Sequence, residues 1–67
     1  MITLNINGEP RHFDQALTCQ QLLEKLELVG KRVAIERNGE IVPRSRHAAE
    51  MVNDGDLLEI VVAVGGG

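Results

Sequence analysis

From Met1 to Asn7, Ile2, Leu4 and Ile6 alternate with Thr3, Asn5 and Asn7, the two-residue period of a strand that buries one face. Asn7-Gly8 supplies the backbone freedom of a tight hairpin, so the chain folds back into a short second strand around Arg11 to Phe13. Pro10 falls near the start of that strand, where a missing N–H does least harm. Thr18-Cys19-Gln20-Gln21 has the spacing of a capping box and predicts a helix start. Cys19, Leu22, Leu23 and Leu26 follow at i, i+3, i+4 and i+7 as one apolar face, with Gln20, Gln21, Glu24 and Lys25 on the other. Gly30 is the expected C-terminal stop. Val33 and Ile35, between polar or small neighbours, mark a third strand over Arg32 to Arg37. Asn38-Gly39 repeats the hairpin signal before Glu40-Ile41-Val42, and Pro43 ends that strand.

From Arg44 to Asn53 the pattern is polar and irregular, apart from Ala48, Ala49, Met51 and Val52, which predict a short turn of helix over one end of the core. Asp54-Gly55 turns the chain into a last strand. There Leu58, Ile60, Val62 and Val64 share one parity and Leu57, Val61 and Ala63 the other, so the strand is nearly apolar on both faces, as expected at the centre of a sheet. The order is β-β-α-β-β-β. A single helix covers one sheet face, and the crossover places the first and last strands side by side and parallel. This predicts an α+β fold of the ubiquitin-like β-grasp type: a mixed sheet of four to five strands with one main helix packed on one face. Residues 1–64 are expected to form the β-grasp domain and 65–67 a flexible glycine tail.

Length sharpens this reading. At 67 residues the chain buries only about 60% of the surface its unfolded form exposes, so an enzyme-sized pocket would consume most of its core. Composition therefore leans toward a carrier or interaction module. A hydrophobic content of 43% with 25% charged residues is that of a folded domain rather than a disordered one. The net charge of −3, the scatter of basic residues and the single aromatic, Phe13, leave neither a phosphate-backbone footprint nor a stacking platform, so nucleic acid is not an expected partner. One cysteine excludes an internal disulfide, and no segment resembles a signal peptide or a membrane span, so the expected setting is the cytoplasm.

Candidate chemistry is sparse in the body of the chain. Cys19 with His12 or His47 as its base would be a nucleophilic pair, but its place on the apolar helix face makes it a small core hydrophobe. Two histidines and one cysteine are too few and too scattered for a zinc site. Asp54 and Asp56 flank a turn glycine and read as turn geometry rather than an acid–base pair. Gly65-Gly66-Gly67 lacks the following helix N-terminus that a phosphate-binding loop needs. What remains is a slim arm with a reach of at most about 10 Å, free of side chains and tipped by the Gly67 carboxylate. Val61 and Ala63, on the sheet face that the helix leaves uncovered, are candidates for docking a partner.

Taken together, the β-grasp order, the segment Asn38-Gly39-Glu40-Ile41-Val42-Pro43-Arg44, the turn Asp54-Gly55-Asp56 and the ending Val64-Gly65-Gly66-Gly67 resemble the ThiS family, the sulfur carriers of bacterial thiamine biosynthesis. The resemblance covers essentially the whole chain. It implies that a ThiF-like adenylyltransferase consumes ATP to convert the terminal carboxylate to an acyl-adenylate. Sulfur from a donor such as a cysteine desulfurase system then gives a thiocarboxylate, which a ThiG-like thiazole synthase uses to build the thiazole of thiamine. On this basis Gly67 is the modified residue, Gly65 and Gly66 thread the partner's channel, and Val61 and Ala63 help to dock the domain. The chain itself is then a group carrier and co-substrate rather than an enzyme, with no bound cofactor or metal. The family's hallmark is two terminal glycines, whereas this chain has three; the reactive carboxyl belongs to whichever residue is last. Three alternatives stay open: the small subunit of molybdopterin synthase, which shares the fold and the thiocarboxylate chemistry, a ubiquitin-like modifier that forms isopeptide bonds, and a regulatory or RNA-binding β-grasp module.

Overall fold

A computed structural model describes residues 1–63 of the chain. Seven strands and one α-helix follow in order: β1 (Ile2–Ile6), β2 (Glu9–Phe13), β3 (Leu17–Thr18), α1 (Cys19–Lys25), β4 (Val33–Arg37), β5 (Glu40–Val42), β6 (Met51–Val52) and β7 (Leu57–Val62). Five of them form a mixed sheet in the order β2-β1-β7-β4-β5. β7 is thus the central strand, as its apolar composition predicts. It runs parallel to β1, pairing Asn5 with Leu57 and Ile6 with Leu58, and antiparallel to β4 from Val33–Val62 to Arg37–Leu58. Asn7 and Gly8 (φ 53° and 86°) and Asn38 and Gly39 (φ 51° and 88°) take positive φ in pairs, the requirement of the two-residue turns that match strand twist.

The helix begins where the capping box places it. The Gln21 N–H donates to Thr18 Oγ1 at 3.1 Å, and the Thr18 N–H donates to Gln21 Oε1 at 2.9 Å. Cys19, Leu22 and Leu23 are buried against Leu4, Ile6, Ile35, Val42, Val52, Leu58 and Ile60, with Leu26 packed at the rim. The helix stops five residues before Gly30. Glu27 takes the left-handed conformation (φ 60°), its N–H donates to the Glu24 carbonyl (3.1 Å), and the Leu28 N–H donates to the Leu23 carbonyl (2.8 Å). That is a Schellman motif with glutamate where glycine is usual. It turns the chain early enough for half-buried Leu28 to fold back onto the core. Gly30 (φ 87°) serves the next turn instead.

The segment after Pro43 also departs from expectation. Only Arg44–Arg46 is helical, as a single 3-10 turn, and Ala48 and Ala49 are exposed. Met51–Val52 is instead a strand that pairs antiparallel with Leu17–Thr18, burying Val52 completely. The same loop satisfies two amides at the helix start: the Cys19 N–H donates to the Glu50 carbonyl (2.8 Å) and the Gln20 N–H to the His47 carbonyl (2.9 Å). A two-residue strand leaves no periodicity to read, which is why it is invisible in the sequence.

Candidate functional site

The structure leads the chain toward its C-terminus along β7, and two side-chain devices hold that strand in register. At its entry, Asp56 accepts from Arg37 Nε at 2.7 Å, from Asn38 Nδ2 at 3.1 Å and from the Asn53 N–H at 2.8 Å. Burial alone would push this carboxyl up. The hydrogen bonds from the Asn53 backbone, Arg37 and Asn38, with the Arg37 charge, more than offset that and hold it below its ordinary value. Arg37 also reaches Glu50 at 3.1 Å, and Glu50 in turn meets Arg46 at 3.2 Å. Asp54 accepts from the Thr3 N–H at 2.7 Å. The Asp-Gly-Asp stretch is therefore a turn, as its composition predicts, but Asp56 is additionally the hub that ties the β4–β5 hairpin to β7. Farther along, Asn7 Oδ1 accepts from the Ile60 N–H at 2.8 Å and Asn7 Nδ2 donates to the Ile60 carbonyl at 3.1 Å. This side chain continues the β1–β7 ladder where the β1 backbone has turned away. Neither role is readable in sequence, since each joins residues whose proximity the topology creates.

The two faces of β7 differ sharply. Leu58 and Ile60 are buried under α1, whereas Leu57 and Val61 are 61% and 62% exposed, and Ala63 is also exposed. The register extends this outer face across β4 and β5. Ala34 lies opposite Val61, Glu36 lies opposite Glu59, and Ile41, 65% exposed, lies opposite Glu36. Leu57, Val61, Ala63, Ala34 and Ile41 thus form an apolar surface around two facing carboxylates. Val61 and Ala63 sit on it together, at the end of the strand nearest the tail. Gly65, Gly66 and Gly67 lie outside the described residues, as does Val64.

The body of the domain brings no nucleophile and base together. Cys19 is fully buried, and burial, followed by the charge of Glu50, pushes its thiol up, away from the reactive thiolate. His47 is buried with Nε2 3.1 Å from the Val42 carbonyl, and His12 Nδ1 lies 3.0 Å from Thr3 Oγ1. Among the described residues no cluster of His, Cys, Asp and Glu suits a metal ion. Nor is any helix among them long and apolar enough to cross a membrane.

Comparison with known proteins places this arrangement in context. The family model described as the ThiS family matches residues 4–67. A thiazole synthase of Paramagnetospirillum magneticum is 53% identical over 64 residues, covering 96% of this chain. The chain spans only 20% of that protein's length. The sulfur carrier protein ThiS of Bacillus subtilis is 44% identical over 65 residues, covering 96% of this chain and 98% of the relative. The crystal structure of a thiamine biosynthesis protein (ThiS) from Geobacter metallireducens superposes with a TM-score of 0.84 at 35% identity, covering 98% of this chain and all of that one.

Proposed function

The chain belongs to the ThiS family, and on that premise we propose that it carries sulfur on the carboxyl group of Gly67 for the formation of the thiazole of thiamine. The observation that carries this reading is the family match, which runs through the glycine tail to residue 67. The structure supports it in that the central strand heads toward the tail beside an exposed apolar face, the arrangement of a group carried to other proteins' active sites.

The chemistry follows from the poor reactivity of a carboxylate, whose displaced group would be oxide. A ThiF-like adenylyltransferase overcomes this by letting a Gly67 carboxylate oxygen attack the α-phosphorus of ATP, with pyrophosphate leaving. The terminal sulfur of a persulfide, supplied by a cysteine desulfurase system, then attacks the acyl carbon and AMP departs with the bonding pair. A second thiol cleaves the S–S bond and leaves a thiocarboxylate on Gly67. Gly65 and Gly66, lacking Cβ atoms, suit a narrow channel, and Val61 and Ala63 seat the domain on the partner. A ThiG-like thiazole synthase receives the sulfur. That a region 53% identical to this chain is part of a protein named thiazole synthase supports this choice of acceptor. Membership of the ThiS family favours this role over the small subunit of molybdopterin synthase and over a modifier that forms isopeptide bonds.

Intact mass spectrometry after incubation with the host adenylyltransferase, ATP and a sulfur donor tests the reading. The expected result is the mass gain of one oxygen replaced by sulfur, mapped to Gly67. An unchanged mass with partners shown to be active would overturn it.

A further inference from the structure

On the side of the sheet that carries the helix, one cavity gathers cations and excludes acids. It measures about 230 Å³, and its wall includes Gln20 and Leu23 from α1, Leu28 and Lys31 from the turn that follows, and Arg44 and His47 from the segment after Pro43. No aspartate or glutamate lines it. The chain carries a net charge of −3, yet neither Lys31 nor Arg44 forms an ion pair among the described residues. Arg44 opens the 3-10 turn and His47 caps it, with the His47 N–H donating to the Arg44 carbonyl at 3.1 Å, and side chains three apart in such a turn stand one above the other. The histidine is a second and independent feature. It is only 7% exposed, and its Nε2 lies 3.1 Å from the Val42 carbonyl. A carbonyl only accepts, so Nε2 carries the proton and Nδ1 of the neutral ring is a lone-pair acceptor. Among the described residues Nδ1 has no hydrogen-bond partner, and it is not sealed inside the core, so it opens onto the cavity that His47 lines.

We propose that this cavity binds the hydrogen phosphate ion, with Lys31 and Arg44 donating to its unprotonated oxygens and His47 Nδ1 accepting from its P–OH. Two cations on a wall free of carboxylates set the sign of the ligand. The acceptor nitrogen refines the choice. A fully deprotonated oxyanion would turn a lone pair toward the lone pair of Nδ1, whereas hydrogen phosphate offers that nitrogen a donor and keeps its other oxygens for the cations. The Val42 carbonyl enforces this selection by holding the ring proton on Nε2. Leu23 and Leu28 lower the local dielectric, which strengthens each charged contact. The volume, below the roughly 300–1,000 Å³ of pockets for drug-sized ligands, suits a small ion with its bridging water. This site does not depend on the carrier role of the tail.

Titration of the nitrogen-labelled full chain with inorganic phosphate, sulfate and phenyl phosphate, at fixed ionic strength and followed by the NMR shifts of the histidine ring nitrogens, tests this. At a pH of about 7.5 free phosphate keeps one proton, sulfate has none, and a monoester, whose second pKa is near about 6, has lost its own. Inorganic phosphate is expected to move His47 Nδ1 saturably and to leave His12, which lies against Thr3, where it is. Sulfate and phenyl phosphate should bind about tenfold more weakly, the cost of leaving Nδ1 without a donor. Lys31→Gln and Arg44→Gln should each weaken phosphate about tenfold without lowering Tm, since both side chains are exposed and unpaired among the described residues. Sulfate or phenyl phosphate binding as tightly as phosphate would overturn the proposal. So would a His47 response that fails to saturate, or a double variant whose affinity stays within about twofold of the unmodified chain.

Discussion

Replacing Asp56 with alanine removes the junction on which β7 depends. The carboxylate accepts three hydrogen bonds, from Arg37 Nε, Asn38 Nδ2 and the Asn53 N–H, and the residue is only 8% exposed. Bonds to a charged acceptor contribute about 1.5–3 kcal/mol each, but Arg37 retains Glu50 as a partner and water replaces part of what Asn38 and Asn53 lose, so about 3 kcal/mol is expected overall. For a domain of this size that corresponds to a fall in Tm of roughly 12–24 °C, measurable by circular dichroism. The effect carries a pH signature. The carboxyl is more acidic in the folded than in the unfolded chain, so its contribution is complete above the ordinary carboxylate value of about 3.9 and disappears as pH falls through the lower folded value. Stability curves of wild type and Asp56→Ala should therefore converge in that acidic window and run apart above it. A fall in Tm below about 4 °C at neutral pH, or a stability gap that does not change with pH, would refute the reasoning.

Other outcomes follow from the same geometry. Val61→Thr should leave Tm nearly unchanged, since the side chain is 62% exposed and threonine keeps the β-branched shape that suits a strand, yet on the proposed function it should raise the KM for adenylation several-fold; unaltered kinetics would remove Val61 from the proposed docking face. Glu27→Gly should stabilise the domain by roughly 0.5–1 kcal/mol, because an exposed glutamate now occupies a left-handed position that glycine takes without strain, and thermal unfolding reads this directly. Cys19 should react with a thiol reagent only as fast as the domain unfolds, with a rate that rises in denaturant, because the thiol is fully buried; rapid labelling of the native chain would contradict the packing.

Local patterns in the sequence carry most of this molecule. The alternation of Ile2, Leu4 and Ile6, the paired Asn-Gly turns and the capping box from Thr18 to Gln21 act through neighbours in the chain, so each could be read without knowing the fold. The parity of Leu58 and Ile60 against Leu57 and Val61 likewise separated the buried from the exposed face of the central strand before any pairing was known. The resemblance to the ThiS family rested on motifs of the same local kind. Other features depend on residues far apart in sequence. The helix ends at Lys25 rather than Gly30 because Leu28 must return to the core, and that demand overrides the weak preference for glycine at the left-handed position. Val52 belongs to a strand because Leu17 supplies its partner from 35 positions away. Asp56 becomes a hub, Asn7 a brace and Glu36 the neighbour of Glu59 only once the parallel β1–β7 pairing and the β4–β7 register bring them together. Backbone preference and hydrophobic period are properties of short segments and determined the elements; charge proximity and hydrogen-bond partnership are properties of the assembled sheet, and only the tertiary structure decided them.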